Sequence, residues 1–165
     1  MKLGRSLTAS LLVLSFAPTQ LSLGQDTSHF ATRAERENEV RAALVRYLAQ
    51  DWGGDDRVFF VSIEEKDPSD EFVARLKGFA NPIKKASQSK NVQEGKTFFS
   101  HIRDKATDRP GVIFSVGRIS WKSKNEAEVE GGYYCGSLCG GDSRYRVKYK
   151  DKKWQVEPGD TMWNS

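Results

Sequence analysis

Histidine and cysteine are scarce in this chain, with two of each among 165 residues. A structural zinc site takes four such ligands. Neither His29 nor His101 lies near Cys135 and Cys139 in sequence or at ligand spacing from them, so no metal or cofactor is expected. The same scarcity excludes a scaffold stapled by several disulfides. Charge of one sign is also lacking: 26 basic residues face 22 acidic ones, which indicates neither nucleic acid nor an anionic membrane as partner. No apolar run approaches the ~20 residues a helix needs to cross a bilayer, so no stable membrane insertion is expected. There is no nucleophile elbow, no Walker loop and no H-E-x-x-H. No internal repeat at solenoid periods is present either.

What is present begins at the N-terminus. Lys2 and Arg5 precede an apolar stretch of 11 residues, LTASLLVLSFA from Leu7 to Ala17. PTQLSLG follows, with small Ser22 and Gly24 placed for a cut after Gly24. Positive, apolar and small-residue regions in that order make a secretory signal peptide. The expected organisation is a signal peptide over 1–24, a loose arm over 25–31 and a single domain over 32–165. Loss of Lys2 and Arg5 takes the formal charge from +4 to +2, so part of the basic character belongs to the leader. The remaining ~140 residues suffice for one core, in a secreted or periplasmic protein.

Thr32-Arg33-Ala34-Glu35 is a capping box. Val40, Ala43, Leu44, Tyr47 and Leu48 then recur at helical spacing, with Arg33, Arg36, Glu37 and Arg41 on the opposite face and Gly53-Gly54 as a stop. Val58 to Ile63 (VFFVSI) reads as a largely buried strand. Asp67-Pro68-Ser69-Asp70 predicts a second helix with Asp67 as N-cap and Pro68 at the first position, and Phe72, Val73, Leu76 and Phe79 form its stripe. Residues 83–96 are polar and aperiodic, and Thr97 to Ile102 suits a strand.

From Val112 onward the period becomes two. A two-residue turn at Asp151-Lys152 sets Tyr149 opposite Trp154, Val147 opposite Val156 and Arg146 opposite Glu157. A three-residue loop at 136–138 sets Glu130, Glu128 and Glu126 opposite Arg144, Arg146 and Lys148. It also sets Val129 opposite Tyr145 and Ala127 opposite Val147. A third loop at 123–125 sets Arg118 opposite Glu130, Lys122 opposite Glu126, Ile119 opposite Val129 and Trp121 opposite Ala127. Each opposed pair contributes only ~0.2–1 kcal/mol. A slip of one residue, however, would turn every apolar side chain to water, and that fixes the register.

The same register sets Cys135 against Cys139 in GGYYCGSLCGG, residues 131–141. Antiparallel partners lie within disulfide range, and an exported chain meets an oxidising environment. A redox pair would want C-x-x-C at a helix N-terminus, whereas this is C-x-x-x-C on a hairpin tip. A structural clasp is therefore preferred to free thiols, intermolecular thiols or a metal half-site.

Helices followed by a meander with one polar and one aromatic face make an α+β roll, with the N-terminal helices packed on a curved, mostly antiparallel sheet. That element order resembles the cystatin-like, nuclear-transport-factor-like class. The stretches SVGRISWKSKNEAEVEGGYYCGSLCGG, YRVKYKDKKWQVE and MWNS also resemble a group of exported bacterial proteins of unknown function. That resemblance implies no activity, cofactor or partner.

Trp121, Tyr133, Tyr145, Tyr149 and Trp154 share the inward face and are the candidate lining of a pocket for a small apolar ligand. Enzymes of the cone-shaped class, isomerases or cyclases, need an inward acid or imidazole. The inward meander positions offer none, which leaves His101 and Asp51 as weak catalytic candidates. A third candidate is the hairpin tip, where Tyr134, Ser137 and Leu138 would meet a partner protein in the manner of an inhibitor or immunity protein. The expected function is a non-catalytic exported domain binding a small apolar ligand or an envelope protein.

Overall fold

The structure, a computed structural model, describes residues 32–52 and 56–164. The expected signal peptide and arm, and the Gly53-Gly54 stop, lie outside the described residues. The described chain is a mixed α+β fold: one long and one short helix lie against a strongly curled, mostly antiparallel sheet of nine strands that forms a half-barrel.

Helix α1 spans Arg33–Ala49, and the Thr32 hydroxyl accepts from the Glu35 backbone N–H at 3.0 Å, as the capping box requires. Its buried side is broader than the stripe predicts, because Ala42, Val45 and Ala49 are buried beside Val40, Leu44 and Leu48. A curled sheet wraps more of a helix than a flat one covers: α1 touches β5 (Gly111–Ser123), β6 (Glu126–Gly136), β7 (Cys139–Lys150) and β8 (Lys153–Glu157). One consequence is that Arg36, expected in solvent, lies 4.3 Å over the Trp121 ring. Helix α2, Asp70–Arg75, is capped by Ser69 and not by Asp67. Pro68 is buried instead of opening the helix. Asp67 reaches across the chain, its carboxylate accepting from the Ser87 backbone N–H at 2.9 Å.

Strand β1, Val58–Ile63, is parallel to both neighbours, β2 (Ile83–Lys85) and β5. Buried parallel strands read as continuous apolar runs, and VFFV follows that pattern. Phe59 and Val61 enter the main core under α1. Val58 and Phe60 join Ile102 in a second, smaller cluster on the other face. That second layer is supplied by the hairpin of β3 (Ser89–Gln93) and β4 (Ser100–Asp104). Neither β2 nor β3 is visible in the polar sequence of 83–96: edge strands with one wet face carry little apolar signal.

The charged ladder holds over most of its length. Glu126, Glu128 and Glu130 pair in register with Lys148, Arg146 and Arg144, and Tyr149, Val147 and Arg146 with Trp154, Val156 and Glu157. Ion pairs across it are partly diagonal, Arg146 meeting Glu126 at 3.5 Å and Lys122 meeting Glu128 at 2.9 Å. The expected β5–β6 register needs correction at two bulges. Ile119 and Trp121 do face Val129 and Ala127, but Gly117 and Arg118 bulge out and Ser123, not Lys122, faces Glu126. Bulges bend the sheet, and these two lie on a strand that carries its curl.

The Asp151-Lys152 turn has both residues left-handed, with φ of 51° and 61°. This is the type I′ geometry that favours glycine. Replacing Lys152 by glycine is expected to stabilise the fold by about 0.5–1 kcal/mol, seen as a raised urea midpoint at unchanged slope.

Candidate functional site

Two places bring together the residues singled out in the sequence. The first is the end of α1. A turn of 3₁₀ helix, Gln50–Trp52, carries the chain off α1 and leaves Asp51 and Trp52 beside the sheet. There they meet Tyr47, Tyr133, Ser143 and Tyr145 around a cleft of about 220 Å³. The Tyr47 and Tyr145 rings are 5.6 Å apart, and those of Trp52 and Tyr133 are 5.4 Å apart. Burial, above all, pushes the Tyr145 phenol above its ordinary 10; the Ser143 hydrogen bond opposes this, and Tyr47, Tyr133 and the negative charge of Asp142 add to it.

The cleft exists because the edge along β7 is broken. Strand β8 covers Arg146 to Lys150, and β9, Thr161–Asn164, covers Gly141 to Ser143. Between them Pro158-Gly159-Asp160 steps across β7, with the Arg144 N–H donating to the Asp160 carbonyl at 2.9 Å. A Cβ at Gly159 would overlap the Arg144 carbonyl oxygen. Pro158, Gly159 and Thr161 complete the cleft wall.

The five aromatic residues expected to share a pocket are divided. Tyr133 and Tyr145 line the cleft. Tyr149 and Trp154 border an open groove of about 670 Å³ between α1 and the β7–β8 hairpin, together with Glu35, Glu39, Arg46 and Lys153. Trp121 packs against Trp154 at 5.8 Å, under Arg36. Beneath the sheet Ala127, Val129 and Val147 are fully buried against α1. Of the two candidate bases, Asp51 lines the cleft. His101 is exposed on β4, its Nε2 2.8 Å from a Glu94 carboxylate oxygen, and is not part of the cleft wall. The cleft thus joins one carboxylate to phenols and hydroxyls, without an imidazole. Tyr47 and Ser143 are cleft residues that the sequence did not single out, since α1's stripe marked Tyr47 only as core.

The second place is the β6–β7 tip. The predicted clasp forms: Cys135 and Cys139 are disulfide-bonded, with Cα atoms 5.2 Å apart. Such a bond is compatible with an oxidising, extracellular environment. The local register differs from expectation. Gly136 faces Cys139, Cys135 sits in a bulge, and the turn itself is only Ser137-Leu138. Gly136 has a φ of 149° and lies against the Ser100 carbonyl, a close backbone approach that only glycine permits. The β3–β4 hairpin holds the tip from the side. The Ser137 N–H donates to the Ser100 carbonyl at 3.1 Å and the Ser137 hydroxyl lies 2.7 Å from the Phe98 carbonyl oxygen.

Leu138 is 65 % exposed, and Phe98 and Phe99, on the β3–β4 loop to which Ser137 is hydrogen-bonded, are 71 % and 38 % exposed. Tyr134 turns inward with Ile113 onto the smaller core cluster. The strand expected over Thr97 to Ile102 starts only at Ser100, which leaves the Phe98 and Phe99 rings outside it, 4.3 Å apart.

Among the described residues no three His, Cys, Asp or Glu side chains are grouped to hold a metal ion. No described helix is long and apolar enough to cross a membrane. No protein-family model, curated protein or solved structure matches this chain.

Proposed function

We propose that this is an exported, non-catalytic binding domain that engages a partner protein through the clasped β6–β7 tip, in the manner of an inhibitor or immunity protein. The observation that carries the reading is the exposure of Leu138 on the clasped tip and of Phe98 on the β3–β4 loop that is hydrogen-bonded to it. Apolar side chains left in water beside one another mark interaction surfaces. The disulfide closes a short loop, so its chain-entropy contribution is only about 2 kcal/mol. Its larger effect is on binding, because a tip already fixed in its bound shape loses little freedom when it docks. The partner suited to it is an extracytoplasmic protein with an apolar slot that admits Leu138 and a flat edge for the two phenylalanines. The sheet curled around α1 accords with a roll of the cystatin-like, nuclear-transport-factor-like kind.

The immobilised, disulfide-bonded protein is expected to retain a defined partner from periplasm or culture medium. Leu138→Asp is expected to weaken that retention ~30-fold or more, as loss of a central anchor does. Replacing both Cys135 and Cys139 by serine should weaken it about tenfold while leaving the fold intact. Equal retention by wild type and Leu138→Asp would end this reading.

A further inference from the structure

The cleft at the end of α1 has a chemistry of its own, and nothing in it depends on the tip. Its wall contains four aromatic rings, Tyr47, Trp52, Tyr133 and Tyr145, and a single charged side chain, Asp51. No lysine, arginine or histidine lines it among the described residues, so an anion would find no partner there. A purely apolar guest would strip water from the Asp51 carboxylate and the surrounding hydroxyls without replacing it. A cation carried on an apolar body matches both features, since the faces of aromatic rings are electronegative and attract ammonium groups. The two ring pairs, Tyr47 with Tyr145 and Trp52 with Tyr133, are tilted at 66° and 58°, so within each pair one ring packs edge-on to the other and a guest meets the faces that remain.

The negative charge of Asp142 reaches Tyr145, and Asp51 has no ion-pair partner among the described residues. One cation already uses this wall from outside: the Arg57 guanidinium lies 5.0 Å from the Trp52 ring centroid. A guest would therefore meet chiefly the three tyrosines and Asp51, with Trp52 as a side wall.

We propose that the cleft bounded by Tyr47, Asp51, Trp52, Tyr133 and Tyr145 binds a small organic cation of the quaternary ammonium class. The ammonium could belong to a free solute or to a lipid headgroup, and both present the same group to the rings.

The test uses the exported, disulfide-bonded protein in NMR titrations with choline, tetramethylammonium and 3,3-dimethylbutan-1-ol, the uncharged isostere of choline. Choline is expected to bind ~10-fold or more tightly than the isostere. Asp51→Asn, an exposed change that leaves the core untouched, should weaken choline about fivefold. Tyr133→Phe should leave binding intact, because the ring and not the hydroxyl makes the contact. Sedimentation with phosphatidylcholine vesicles, weakened to the same extent in Asp51→Asn, would assign the ammonium to a lipid; binding of free choline alone would assign it to a solute. Equal affinity for choline and its isostere overturns the proposal, as does the absence of any shift at millimolar choline. Leu138→Asp serves as the control: it is expected to bind choline normally, so failure of the tip reading leaves this result standing.

Discussion

Replacing Asp104 by asparagine is expected to lower the thermal midpoint by about 5 °C, as loss of the charged partner from a half-buried ion pair does. Asp104 is 1 % exposed on β4. Its carboxylate accepts from Lys84 Nζ at 2.9 and 2.8 Å, and from the Thr107 N–H and hydroxyl at 3.1 and 2.6 Å. It therefore ties the edge strand β2 and the loop after β4 into one unit, and both segments have little apolar surface of their own to hold them. The Lys84 hydrogen bond first, and the Thr107 hydroxyl next, hold the carboxyl at about 2, well below its ordinary 3.8.

A depressed folded-state pKa means that the folded chain prefers the ionised form. The stabilisation is present in full above the ordinary value and is lost as pH falls through about 2. Midpoints of wild type and Asp104→Asn measured from pH 7 downward are expected to stay apart to about pH 4 and then converge. A constant gap down to pH 2 would show that Asp104 acts through shape and not charge.

Gly159→Ala is expected to release β9 and destabilise the domain by about 1–3 kcal/mol. The added methyl would occupy the position of the Arg144 carbonyl oxygen, a backbone atom of a residue that pairs with Glu130 on β6 and whose N–H donates to the Asp160 carbonyl. The Pro158–Asp160 step must then lift, and with it the Gly141–Asn164 and Asp142–Trp163 pairs. Trp163 donates to an Asp142 carboxylate oxygen at 2.6 Å, so its emission and the exchange of β9 amides report the release locally, while the urea midpoint reports the total. Because Pro158, Gly159 and Thr161 also wall the cleft, choline binding should fall in the same variant. Unchanged β9 protection would show that the step can shift without cost.

Much of the outer sheet was legible because two independent patterns coincide on it. Alternating apolar residues fix which face is buried, and the acid–base ladder fixes the offset between neighbouring strands. Where either pattern lapses, the reading fails locally. Gly117 and Lys122 mark the bulges, and at Cys135–Gly136 the chain tightens its turn by one residue because Gly136 can pass close to Ser100. Asp67 looks like a cap in isolation, and Ser69 replaces it because Asp67 has a better donor in Ser87, 20 residues away. The candidate site was less legible. Asp51, Tyr133 and Tyr145 were each singled out, but their meeting with Tyr47 and Ser143 depends on where the edge along β7 breaks, and the exposure of Phe98 depends on where β4 begins.

By itself the sequence determined the helix start at Thr32, the buried strand VFFVSI, the pairing of β7 with β6 and β8, and the disulfide at the β6–β7 tip. All of these follow from interactions between residues close in sequence or from a period that runs through a whole strand. Tertiary structure alone decided that β1 joins β5 in parallel, that β3 and β4 cover its second face, and that β9 returns along β7. It also divided the aromatic face into core, groove and cleft. Those outcomes turn on contacts between segments tens of residues apart, whose partners are chosen by the space the curled sheet leaves and not by any pattern within the segments themselves.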